Sequence, residues 1–203
     1  MKHFFQKYSY CMVKLFITQC VIALFGNVIA LAGAKSESNT FTLITSIFSI
    51  CFYIFLVYVY MWEIGSKDKP AIDGGREKLS LSTGLFIGLG AQIPNYILAI
   101  IHAALFPIAT RVEGAASTIC GISRIVMLFV NGMYSGVMSV IKIGDSYLHG
   151  YWWVFFIITI PAVITAMIAY YLGAKDLHFT RLLIPVNPEE QEIKRDKKRE
   201  TRK

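Results

Sequence analysis

The chain has 203 residues, of which 55% are hydrophobic and only 16% are charged. Soluble domains carry about 25% charged residues, and here the charges gather in residues 1–14, 63–78 and 175–203. This distribution excludes an ordinary soluble domain. We therefore do not expect the net charge of +7 to indicate nucleic-acid binding. Long uncharged runs must satisfy their backbone polar groups internally when they lie in lipid. The sequence therefore predicts an all-α integral membrane protein.

The first two uncharged runs predict an antiparallel pair of membrane spans. Residues 15–34 follow a basic N-terminal segment, and a cleaved signal peptide is the alternative to a retained span. Residues 41–62 form the second predicted span, and Tyr60 and Trp62 near its end are typical of a headgroup interface. The short polar segment between the two runs predicts a tight connection.

Residues 63–78 carry four acidic and four basic side chains. Pro70 and the sequence Asp73-Gly74-Gly75 favour a turn over a helix. We expect a solvated connector between spans, and the alternative is a charged loop that docks a partner or gates a path.

Residues 79–110 form an uncharged run that is longer than a membrane requires. A straight helix of this length would measure roughly 48 Å, compared with about 30 Å of hydrocarbon. We expect the third span within residues 81–105, tilted, broken or extended beyond the bilayer. Pro94 removes one backbone donor and clashes with the preceding turn, so it predicts a break.

Gln92, Pro94 and Asn95 are the candidate intramembrane polar site of this span. Broken helices expose backbone carbonyl and amide groups, and transporters bind ions and substrates at such points. The alternative is that Gln92 and Asn95 only hydrogen-bond neighbouring helices, which stabilises a membrane protein by about 1 kcal/mol or less per bond. Both alternatives stay open, and helix packing is the favoured one.

Residues 119–142 read as an amphipathic helix. At a period of 3.6 residues, Arg124, Asn131, Ser135 and Lys142 share one face, and the opposite face is apolar. Such a helix lies along the interface or crosses the membrane with its polar face against other helices.

Residues 151–174 are the predicted last span, with aromatic residues at both ends. They complete a membrane domain that we place at residues 1–174, and residues 175–203 follow as a basic tail. We expect this tail to be solvated and attracted to anionic lipid headgroups. The lipid-facing bases that we single out in it are Lys194, Arg195, Lys197, Lys198 and Arg199.

The distribution of basic residues predicts the orientation in the membrane. With four spans and both termini inside, sixteen of the twenty Lys and Arg residues lie on the inner side. A fifth span through residues 125–141 would move one basic terminus across the membrane. The positive-inside rule therefore favours four spans, a multi-pass protein of the cell membrane and cytoplasmic termini.

Other sequence features point to packing more than to chemistry. Gly84-xxx-Gly88 and Gly132-xxx-Gly136 permit close approach of helices. His102 shows no evident partner in the sequence, and the four cysteines lack metal-ligand spacing, so we expect no metal, cofactor or disulfide framework. No catalytic motif is present, and no Asp or Glu falls within the four predicted spans.

These observations favour a non-enzymatic membrane protein that serves as a subunit, scaffold or regulator of a transport-type complex. Its expected partners are the lipid bilayer and either helices of other membrane proteins or further copies of itself. The alternative is a small oligomeric transporter or channel whose path is lined by the Gln92–Asn95 break. A membrane enzyme finds no support in the motifs.

Overall fold

The computed structural model describes residues 2–35, 38–109 and 114–177, and this part of the chain is mostly helical. The all-α class is confirmed, and the basic tail beyond residue 177 lies outside the described residues. A two-stranded antiparallel hairpin pairs Lys142–Ile143 (β1) with Ser146–Tyr147 (β2). The helices in chain order are α1 (Lys2–Lys35), α2 (Asn39–Asp73), α3 (Leu81–Ala91), α4 (Ile93–Ala109), α5 (Ala115–Val130), α6 (Ser135–Val140), α7 (Val154–Ile157) and α8 (Ile160–Ala174).

Several of these helices are long and apolar enough to cross a membrane. By length and composition, three do so alone: Phe4–Gly33, Asn39–Asp73 and Val154–Ala174. Two bent pairs, α3 with α4 and α5 with α6, raise the number to five if each pair is one span. The expected number of four lies within this range and stays a prediction.

Helices α1 and α2 are longer than the sequence predicted. Helix α2 continues through Pro70 to Asp73, so the prediction that Pro70 favours a turn over a helix was wrong. The apolar stripe that faces the core continues past Trp62 to Ile64, and it holds the helix in register against α8. The chain leaves the helix at Gly74 and Gly75, and Gly75 has a φ of 71° that glycine adopts at little cost.

The third predicted span is broken at Gln92. Helices α3 and α4 meet there at a bend of 58°, and the Gln92 backbone N–H still bonds to the Leu89 carbonyl at 3.0 Å. Pro94 lies in the first turn of α4, where its missing N–H would have no helical partner in any case. The proline therefore starts the second helix, and the bend falls just before it.

The prediction of one amphipathic helix over residues 119–142 was wrong. Helix α5 ends at Val130, and the chain bends by 83° through the 3₁₀ turn Gly132–Tyr134 into α6. Tertiary contacts cause the bend, because Gly132 packs against Asn27 of α1 and Gly136 against Ser46 of α2. The polar face that the helical period predicted therefore does not exist as one surface.

Glycines allow the closest contacts in the bundle. A Cβ atom at Gly65 of α2 would lie 2.8 Å from the Ala174 nitrogen of α8, and Gly173 of α8 meets Trp62 of α2 in the same way. Gly84 of α3 also faces α8, where a Cβ would lie 2.8 Å from the Ala166 carbonyl oxygen. Helix α8 is therefore the central element against which α2 and α3 pack.

The bundle has two distinct ends. At one end, the start of α1 meets the end of α2 and the end of α8, through contacts of Lys7 and Tyr170 with Asp68. We call this the Asp68 end. At the other, Gly136 of α6 lies against Thr42 near the start of α2, and the β-hairpin follows α6 directly. We call this the hairpin end.

Candidate functional site

Four side-chain amides meet in the middle of the bundle. They belong to Gln19 of α1, Gln92 at the α3–α4 bend, Asn95 of α4 and Asn131 at the α5–α6 bend, and each is at most 3% exposed. We call this group the amide ring. Gln19 stands near the midpoint of α1, roughly 25 Å from either end at 1.5 Å per residue.

The four amides form a closed cycle in which each donates to the next. Gln92 Nε2 donates to Gln19 Oε1 at 2.8 Å, and Gln19 Nε2 donates to Asn131 Oδ1 at 3.1 Å. Asn131 Nδ2 donates to Asn95 Oδ1 at 3.4 Å, and Asn95 Nδ2 donates to Gln92 Oε1 at 2.6 Å. Every amide in the ring thus has both a donor bond and an acceptor bond inside the chain.

Two further contacts tie the ring to its surroundings. The Tyr53 hydroxyl of α2 donates to Gln19 Oε1 at 3.2 Å and accepts from Gln92 Nε2 at 3.3 Å. The Asn131 side-chain Nδ2 also donates to the Met127 carbonyl at 2.9 Å, near the end of α5, where carbonyls lose their helical partners. The ring therefore connects α1 and α2 with both helix bends.

The chemistry of the ring is that of neutral hydrogen bonding. Amides carry donors and acceptors but no titratable proton at ordinary pH, so the ring cannot act as a general acid, base or nucleophile. In an apolar interior an unpaired amide is expensive, and the closed cycle avoids that penalty without placing a formal charge at mid-depth. Pro94 lies beside the ring and makes no side-chain hydrogen bond of its own.

A second polar cluster lies at the Asp68 end. Asp68 is 8% exposed, and its Oδ1 pairs with Lys7 Nζ at 2.9 Å. Its Oδ2 accepts from the Tyr8 hydroxyl at 2.7 Å and from the Tyr170 hydroxyl at 3.0 Å. Lys7 also bonds to both oxygens of Glu77, at 2.6 and 2.7 Å. The cluster joins α1, α2, α8 and the connector before α3.

Sequence reasoning missed this cluster because it ended the second span at residue 62. A signal was present, since the buried positions Tyr53, Val57, Met61 and Ile64 continue at helical spacing to Asp68. The predicted span at residues 41–62 holds no Asp or Glu, and Asp68 lies in the part of α2 that continues beyond it.

His102 has a partner that no local sequence pattern indicated. Its Nδ1 lies 3.3 Å from Cys120 Sγ and 3.3 Å from the Cys120 carbonyl oxygen, and both residues are buried between α4 and α5. The ring edge packs against Phe155 with a centroid distance of 5.9 Å. No group of three His, Cys, Asp or Glu side chains that could hold a metal occurs in the described ranges. The pair therefore serves as a packing contact between two helices.

The predicted small-residue pairs divide between two partners. Gly84 and Gly88 face α8, while Gly132 and Gly136 face α1 and α2. The predicted lipid-facing bases of the tail lie outside the described residues.

Comparison with protein-family models, with curated proteins and with solved structures finds no match to this chain. Its function must therefore be inferred from the geometry of the ring, of the Asp68 cluster and of the outer helix faces.

Proposed function

We propose that this chain is a non-enzymatic membrane protein that serves as a subunit, scaffold or regulator of a transport-type complex. The closed amide ring is the observation that supports this most. Its four amides hydrogen-bond to one another and thereby hold the two helix bends in place. Each amide is thus engaged within the chain and not directed toward a substrate. A rigid interior of this kind suits a protein whose work is done on its outer surface.

The same proposal includes a membrane topology with four crossings. Helix α4 runs along α7 toward the hairpin end, because Tyr96 contacts Thr159 and His102 packs on Phe155. Helix α5 returns from there to the ring at Asn131, and α6 leads back to the hairpin end. We infer that α5 and α6 form a re-entrant pair, while α1, α2, α3 with α4, and α7 with α8 cross.

The distribution of charge supports this topology. The N-terminal segment and residues 63–78 then share the Asp68 end with Lys175, the first base of the tail, and the positive-inside rule assigns this end to the cytoplasm. Cysteine labelling from outside checks it. A cysteine in place of Asp145 of the hairpin should react with a membrane-impermeant maleimide in intact cells, and one in place of Lys69 should not. The reverse labelling pattern would contradict the orientation.

The proposed role is tested by gentle-detergent purification of the tagged chain from its native membranes. We expect one or more membrane proteins to co-purify in fixed stoichiometry, because a subunit is stable in its complex. An unrelated tagged membrane protein of similar size is the control. A monodisperse assembly that contains this chain alone would contradict the proposal.

A transporter or channel is a second candidate, favoured by one specific observation. Both bent pairs break at residues of the same ring, so the C-terminal ends of α3 and α5 meet at mid-depth. Discontinuous helices that meet near the bilayer midplane form ion and substrate sites in transporters. In this reading the ring must open during transport.

Replacing Gln92 and Asn95 together by Leu separates the two candidates. A packing role predicts a modest loss of stability and an unchanged complex, whereas a transport path predicts loss of Na⁺, K⁺ or urea flux into proteoliposomes with the fold intact. Thr165→Leu is a matched control, since Thr165 is a hydroxyl residue outside the ring whose side chain bonds only within α8. Flux that is absent in the wild-type protein for all three solutes removes this form of the second candidate.

A further inference from the structure

Helix α5 presents an outer face that the described chain does not use. Gly121 is exposed, Ser117 and Arg124 are half-buried, and the three follow one another at helical spacings of four and three residues. We propose that this face docks a transmembrane helix of another protein, and that the partner helix carries an Asp or Glu within its apolar segment. The inference rests on the proposed function as a subunit, and it names the surface and the chemistry of the partner.

Gly121 differs from the other glycines of the described helices. A Cβ atom at Gly65, Gly84 or Gly136 would meet backbone atoms of a neighbouring helix within 3.0 Å, whereas at Gly121 it would meet nothing within 4 Å. Glycine in a helix interior is less favourable than Ala. Within the described ranges nothing offsets that penalty at Gly121. A close helix crossing would do so, because Ser117-xxx-Gly121 is a small-xxx-small pattern.

Arg124 stands within a helix and lacks the partners that most of the other described bases have, whereas Arg76 and Lys78, which also lack them, lie in the connector after α2. Lys7, Lys67 and Lys69 each pair with a carboxylate. A second group places the ammonium over a tyrosine ring, namely Lys14, Lys142 and Lys175. The Arg124 guanidinium forms no hydrogen bond or ion pair within the part of the chain that the structure describes.

The position of Arg124 makes this isolation unfavourable. It lies nine residues into α5, about 14 Å along the axis, and Ile122, Ile125 and Phe129 beside it are more than half exposed. In hydrocarbon an arginine without a partner disfavours membrane insertion, and such residues pair with other groups or face a polar cavity. A carboxylate that forms two parallel bonds with the guanidinium removes most of that penalty.

No acid among the described residues is placed to pair with Arg124, so a carboxylate of another protein is the proposed partner. In the described residues, Glu63, Asp68, Asp73, Glu77, Asp145 and Asp176 are the acids, and all stand at the two ends of the bundle. A second copy that docked by the same face would place Arg124 against Arg124, and like charges repel. A helix from a different chain, with an acid at the matching depth, satisfies the geometry.

A model peptide tests the charge requirement directly. The full chain is reconstituted in phosphatidylcholine vesicles, and its association with a polyleucine transmembrane peptide that carries one central Glu is measured by energy transfer. We expect the Glu peptide to bind at least fivefold more tightly than the same peptide with Gln, and Arg124→Gln to abolish the difference while Arg124→Lys retains part of it. Lys142→Gln is the matched control, since this lysine lies in the hairpin. Equal binding of both peptides by the wild-type chain overturns the proposal.

Crosslinking in native membranes tests the surface. A photoreactive phenylalanine in place of Gly121 should give a discrete protein adduct, and the same group in place of Phe55, which is 58% exposed on α2, should label lipid. Support requires that the adduct map to a helix with an intramembrane acid. It also requires that Arg124→Glu alone remove the adduct, and that Arg124→Glu combined with replacement of the partner's acid by Arg restore it. Lipid labelling alone at Gly121, or an adduct between two copies of this chain, overturns it. If a partner co-purifies but Gly121 does not reach it, this inference fails while the proposed function stands.

Discussion

Glycine and charged residues occur both at the contact between α2 and α8 and on the outer face of α5, but their surroundings are opposite. At the first, Gly65 and Gly173 admit a neighbouring backbone, and Asp68 has an ion pair and two hydroxyl donors. At the second, Gly121 meets open space and Arg124 has no partner among the described residues. At the first region, contacts within the chain offset the cost of a helical glycine and of a charge in an apolar region. At the second, no contact among the described residues does so. Function is best sought among the latter.

Replacing the internal Gly65 by a larger residue should have the largest effect on the free energy of unfolding. Gly65→Ala places a methyl group against the Tyr170 carbonyl and 2.8 Å from the Ala174 nitrogen. Because backbone cannot move aside as a flexible side chain does, we expect a loss of about 3 kcal/mol in the free energy of unfolding. Unfolding by SDS in mixed micelles, followed by tryptophan fluorescence, measures it. A loss below about 0.5 kcal/mol would mean that α2 and α8 are not so closely packed.

The ion pair at the Asp68 end should give the next largest effect. Asp68→Leu leaves Lys7 and two tyrosine hydroxyls without their common acceptor. Removing one partner of a buried pair costs about 3 to 5 kcal/mol, but the Lys7 side chain is 30% exposed and keeps Glu77. We therefore expect a loss of about 2 kcal/mol, measured by the same SDS titration.

The double variant Lys7→Met with Asp68→Leu serves as its control. It removes both charges together, so it should recover much of the lost stability. If it is less stable than the single variant, the pair itself is the stabilising element and the explanation by an orphaned charge is wrong.

Opening the amide ring should have a smaller effect. Gln92→Leu removes bonds to Gln19, Tyr53 and Asn95, and we expect a loss of about 1 to 2 kcal/mol. Because the ring is one network, Asn131→Leu should cost less when added to Gln92→Leu than when made alone. A double-mutant cycle in the SDS assay measures this coupling. Strict additivity would show that the four amides do not act as a unit.

The smallest effect on stability is expected at Gly121. Gly121→Ala meets nothing within 4 Å, so we expect unchanged stability or a gain of up to about 1 kcal/mol from helix propensity. The isolated chain in detergent measures this. The same substitution should weaken the complex in native membranes, and a destabilised isolated chain would place Gly121 with the internal glycines.

The two polar sites show how far single residues could be interpreted without the fold. Gln92 and Asn95 stood out because polar groups in a long apolar run are unusual. Gln19 did not stand out, and Asn131 was assigned to the polar face of a helix that does not form. The Gln19–Asn131 bond spans 112 positions in the chain, and no local pattern encodes a contact of that separation.

The sequence alone was sufficient to predict the helical class, the positions of the long apolar runs and the break near Pro94. These follow from local causes, namely apolar runs long enough to span a bilayer and a residue without a backbone donor. Tertiary structure alone decided the 83° bend at Asn131 and the difference between Gly65 and Gly121. Each of these depends on which atoms a distant segment brings alongside, because packing and hydrogen bonding between helices override local propensity.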